Sequence, residues 1–93
     1  MFKLFGKKSA VSSYDIVEIA ENTWTVHLSD EQSQVLASKG LSDVRELTLT
    51  RGEQTWKVEY SYLTRDGSWE NVSSGGIAFA SESLQDVLEQ FFN

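Results

Sequence analysis

Between residues 15 and 80 apolar side chains recur mainly at every second position, and from Leu84 onward they change to helical spacing. Thr23-Trp24-Thr25-Val26-His27-Leu28 alternates cleanly, with Trp24, Val26 and Leu28 on one face and Thr23, Thr25 and His27 on the other, the mark of a half-buried strand. Residues 15–20 read as the strand before it, joined through a tight turn at Glu21-Asn22. Residues 44–50 and 54–64 read as two more strands. The second has Trp56, Val58, Tyr60 and Tyr62 on one side and Thr55, Lys57, Glu59 and Ser61 on the other. Asp66-Gly67 predicts a type I′ hairpin turn, in which both central residues need positive φ. The returning strand runs over 68–80, and Ser73-Ser74-Gly75-Gly76 interrupts it with a bulge, bend or short loop.

Two helices complete the pattern. Ser29-Asp30-Glu31-Gln32 has the form of a capping box, with acidic residues where the helix dipole favours them, and Lys39-Gly40 ends a helix of about ten residues. Leu84, Val87, Leu88, Phe91 and Phe92 form one apolar stripe at i, i+3, i+4, i+7 and i+8, behind a cap at Ser81 or Ser83. The order β-β-α-β-β-β-α, with one polar face per strand, predicts an α+β fold: a five-stranded, mainly antiparallel sheet with both helices on one face. The expected core is Val17, Ile19, Trp24, Val26, Leu28, Val35, Leu36, Leu47, Leu49, Trp56, Val58, Tyr60, Ile77, Phe79, Leu84, Val87, Leu88 and Phe91.

Charge divides the chain in two. Residues 1–13 carry Lys3, Lys7 and Lys8 and no acid, whereas residues 14–93 carry five basic residues against fourteen acidic ones, so the halves are +3 and −9 and sum to the net −6. This sets residues 1–13 apart as a basic tip and linker, and 14–93 as one domain. An acidic body repels nucleic acid and anionic membrane, and a basic tip is attracted to both. Phe2, Leu4 and Phe5 beside the three lysines make the tip a candidate for membrane or partner contact through Phe2, Lys3, Phe5, Lys7 and Lys8, although three apolar residues are a weak anchor.

Candidate chemistry is sparse. The absence of cysteine excludes disulfides, thiolate metal sites and cysteine nucleophiles. It also makes a small secreted scaffold a poor fit, and no signal-peptide core precedes the domain, so the cytoplasm is the expected compartment. His27 is the sole histidine, which rules out a two-histidine metal site, and it reads as a solvated residue on a polar strand face. No G-x-S-x-G elbow is present. Glu18, Glu59 and Glu70 are expected near one another on the open sheet face, where solvent works against the burial that catalytic carboxylates need. Gly75-Gly76 lacks the lysine and the strand-loop-helix setting of a phosphate loop. Asn71-Val72-Ser73 matches a glycosylation acceptor, a pattern common by chance. The outward face (Thr25, His27, Thr48, Lys57, Glu59, Ser61) offers no aromatic platform for stacking bases, so nucleic-acid binding is not expected.

Tyr62, Arg65 and Trp69 flank the Asp66-Gly67 turn and are of the types enriched at binding hot spots. They are the candidate protein-contact residues. Taken together, these features point to a small acidic, non-enzymatic protein-binding module, an adaptor or inhibitor, with no catalytic residue, cofactor or metal. One alternative is an acidic mimic of nucleic acid that inhibits a DNA- or RNA-handling enzyme, of the anti-defence or immunity type. Another is a membrane-peripheral protein attached through residues 1–8. A mimic depends on ionic contacts and weakens steeply with salt, unlike an aromatic-anchored module.

Overall fold

The computed structural model describes residues 13–93, so the basic tip and its candidate contacts lie outside the described residues. The strands are β1 (Asp15–Ala20), β2 (Thr23–His27), β3 (Glu46–Arg51), β4 (Thr55–Leu63) and β5 (Trp69–Phe79). Helix α1 (Asp30–Ser38) lies between β2 and β3, and α2 (Leu84–Phe92) follows β5. The strands form one antiparallel sheet in chain order, β1-β2-β3-β4-β5, an α+β fold as the alternation predicts.

Alternation decides what each face carries. On the inner face Val26, Leu47, Leu49, Trp56 and Val58 are fully buried against Leu36 of α1 and Val87, Leu88 and Phe92 of α2, so both helices cover the same side. Trp24 stacks at a tilt on Trp56 (5.4 Å), and the Arg51 guanidinium lies over the Trp56 ring (4.8 Å), closing that end of the core with a cation–π contact. The Trp56 indole donates to the Glu82 carbonyl, tying the sheet to the lead-in of α2.

Three expected core residues are not there. Val17 (46% exposed), Ile19 (58%) and Phe79 (70%) stand on the outer face. In β1 both alternation phases carry apolar residues, and the register Ile16↔Val26 sends Ile16 inward and Val17 outward. Ile19 is the extra residue of a bulge, because Glu18 pairs with Trp24 and Ala20 already with Thr23. In β5 Lys57 pairs with Gly75 and Thr55 with Phe79, so residues 76–78 face a single residue, Trp56. A bulge of two extra residues keeps the period-two phase: Ala78 turns inward and Phe79 outward. The Gly75-Gly76 interruption is therefore a bulge within a continuous strand, with Gly76 at φ +75. Val44, Ala78 and Phe92 are buried in place of the three.

The helix ends follow the sequence closely. The Ser29 hydroxyl accepts from the Gln32 amide and Gln32 Oε1 accepts from the Ser29 amide, completing the capping box. Gln32 is itself buried, and its side-chain amide donates to the Ser13 carbonyl. The Ser33 hydroxyl, also buried, donates to the Val44 carbonyl and fixes α1 to the segment entering β3. Lys39 caps α1, Gly40 follows at φ +94, and the Lys39 ammonium donates to the Phe92 carbonyl at the end of α2. Ser83 caps α2 and accepts from the Asp86 amide.

The β4–β5 hairpin departs from the expected two-residue turn. The Gly67 amide donates to the Thr64 carbonyl and the Thr64 amide to the Ser68 carbonyl, and only Gly67 has positive φ (+91). This is a three-residue connection ending in a left-handed glycine. The Asp66 carboxylate is the reason. It accepts from the Thr64 hydroxyl and the Ser68 amide, bonds that hold the turn and lower its pKa.

Candidate functional site

The uncovered face of the sheet is built from the other alternation phase. One row crosses it as Val17–Thr25–Thr48–Glu59–Ser73 and a second as Ala20–Thr23–Thr50–Lys57–Gly75. No helix among the described residues packs on this side. Its middle is polar and tightly laid: Thr25 is only 8% exposed between its cross-strand neighbours. Its margins are apolar. Val17 and Ile19 stand on β1, and Trp69 and Phe79 near the two ends of β5. These are the four most exposed large apolar side chains of the described chain, and all four lie on this face.

At one end of β3–β5 the face dips into a broad open groove whose lining includes Asp43, Glu46, Glu59, Ser61, Trp69 and Asn71. Arg45, at its rim, bridges Asp30 and Asp43 at 3.3 Å each. Asp43 adopts φ +64, a conformation short polar side chains tolerate. His27, half exposed, sits 3.5 Å from Glu46 on the neighbouring strand. Among the described residues, Asp30, Asp43 and Glu46 are the only carboxylates within salt-bridge distance of a basic side chain, and none of these contacts is buried. The remaining carboxylates leave the surface with uncompensated negative charge.

The residues picked from the sequence are dispersed. Leu63 pairs with Trp69 and Tyr62 with Glu70, so Trp69 points to the open face and Tyr62 to the helix side. There Tyr62 is half-buried beside Tyr60, at 6.4 Å between rings. Burial and the neighbouring Tyr62 raise the Tyr60 pKa. Arg65 is exposed in the turn. Tyr62, Arg65 and Trp69 thus share a hairpin but no single surface. The expected carboxylate trio is also split: Glu59 is on the open face, whereas Glu18 and Glu70 follow the inner phase on opposite edge strands. No group of three His or carboxylate side chains converges to hold a metal ion among the described residues. The open face also carries one aromatic expected inside, Phe79. Trp69 is readable from the sequence as a hot-spot type, whereas Phe79 shares the outward phase of Trp69 because the two extra residues at 76–78 do not shift it, a phase obscured in the sequence by the interruption at Gly75-Gly76.

The chain matches no protein-family model, and no curated protein or solved structure is significantly similar to it. No helix among the described residues is long and apolar enough to cross a membrane.

Proposed function

We propose that this protein is a small non-enzymatic protein-binding module, an adaptor or inhibitor, that presents the uncovered face of its sheet to a partner. The observation that carries the reading is the gathering of the four exposed apolar side chains, Val17, Ile19, Trp69 and Phe79, on one face around a polar centre. Apolar anchors set in a polar surround are how protein contacts are built. The test is affinity capture from host lysate, with and without nuclease, comparing the wild type with Glu59→Arg at the centre of the face. A dominant partner seen in both samples and lost with Glu59→Arg, at unchanged melting temperature, supports the module. A partner held equally by the variant removes this face from the reading.

The uncompensated carboxylates favour a second reading, an acidic mimic that occupies the basic groove of a nucleic-acid enzyme. Salt separates the two. A mimic's complex weakens steeply between low and physiological ionic strength, and an apolar-anchored complex does so far less.

A further inference from the structure

We infer that β5 is a self-pairing edge, through which two copies of this chain join antiparallel into one continuous ten-stranded sheet about a twofold axis at Val72. Among the described residues both edges of the sheet are unpaired, and they are not equivalent. β1 carries Asp15 and Glu18, and a one-residue bulge breaks its register. By contrast, residues 69–75 of β5 hold unbroken register against β4 and carry a single charge, Glu70, with no lysine, arginine or proline to blunt the edge.

The register follows from the pattern. A continuous sheet requires facing residues to share a face, and a twofold axis at Val72 satisfies this along the whole segment. Trp69 then lies opposite the partner's Gly75, Asn71 opposite the partner's Ser73, Glu70 opposite the partner's Ser74, and Val72 opposite its own copy. Every pair is compatible: no like charges meet, an amide faces a hydroxyl, and valine faces valine. The indole has room over glycine, since a Cβ placed on Gly75 would meet nothing within 4 Å. An aromatic ring laid over an edge glycine is a recurrent way of completing a strand pair. This accounts for the 56% exposure of Trp69 and for the glycine opposite it. About six to eight backbone hydrogen bonds cross a seven-residue antiparallel junction. The bulge that begins at Gly76 ends the pairing.

Such an interface is small, and each copy carries a net charge of −6, so the dimer is weak and tightens as salt screens the repulsion. The inference is independent of any hetero-partner, because it is measured on the pure full-length chain. Sedimentation velocity from about 10 μM to 1 mM, at low and physiological salt, reads the association directly. The absence of native cysteine makes a single-site crosslink unambiguous: Val72→Cys places two thiols opposite each other within disulfide reach. Val17→Cys on the β1 edge is the control. The expected result is a concentration-dependent dimer, strengthened by salt, with rapid covalent dimer from Val72→Cys and little from Val17→Cys. Gly75→Glu, which has space in the monomer, should leave the melting temperature unchanged and weaken the dimer at least tenfold. A chain that stays monomeric to about 1 mM at physiological salt overturns the inference. So does a dimer that crosslinks through Val17→Cys instead, or one that Gly75→Glu leaves intact.

Discussion

Phe91 and Phe92 show how far single positions can be read. Both fit the apolar stripe of α2, and the spacing reading takes Phe91 as the lid of the core. The structure buries Phe92 almost completely and leaves Phe91 half-buried, edge-on to Tyr60 at 5.5 Å. Phe92→Ala should therefore cost about 3–5 kcal/mol and Phe91→Ala no more than about half of that, measured by urea unfolding. Equal losses would contradict the packing. Tyr14 makes a different kind of prediction. It packs on the Phe92 ring at 5.7 Å, and burial, with Glu89 nearby, pushes its pKa up to about 12. The folded state holds this proton more tightly than the unfolded state, where the pKa is about 10. The contribution is complete below pH 10 and is lost as pH rises toward 12. In Tyr14→Phe this part of the alkaline fall in melting temperature should be missing. Val17 and Ile19 mark the limit of residue-scale reading. They are as apolar as Ile16, and only pairing with β2 decides which of them is inside.

Elements with a local chemical cause were legible. The capping box of α1 and its end at Lys39-Gly40 are each written in a few adjacent residues and formed as written, and the α2 cap fell on Ser83, one of the two serines the sequence offered. Ser29→Ala should cost about 1 kcal/mol, read from the shift in urea midpoint. The connection at Asp66 was legible as a turn but not in type, because side-chain bonds from Asp66 to Thr64 and Ser68 select the three-residue form. The same bonds give the turn an acid dependence. The Asp66 pKa is lowered on folding, so its contribution is present above the ordinary carboxylate range and is lost as pH falls through the folded value. In Asp66→Ala the amide of Ser68 should exchange faster at neutral pH, and the gap from wild type should close as the solution is acidified. The candidate site was less legible than the elements, since it depends on which strand faces end up together. Tyr62 and Trp69 are neighbours along the hairpin and are separated by the sheet.

At the scale of the molecule, the acidic body and the uncovered sheet face set the behaviour. Fourteen acids against five basic residues within 14–93 repel one another across a small domain, and few have a cationic neighbour among the described residues. Raising salt should therefore stabilise the fold. A melting temperature that falls between low salt and about 0.3 M would mean that attractive pairs outweigh the repulsion.

The bulge in β5 carries a consequence for how this chain can change over time. It absorbs extra residues locally, leaving Ala78 inward and Phe79 outward while Ile77 packs at the edge of the core. The one-residue bulge of β1 does the same, since Val17 before it and Ala20 after it both lie in the open-face rows. A codon gained or lost between Gly75 and Phe79 should therefore change the size of the bulge and leave the pairing of Lys57 with Gly75 and of Thr55 with Phe79 in place.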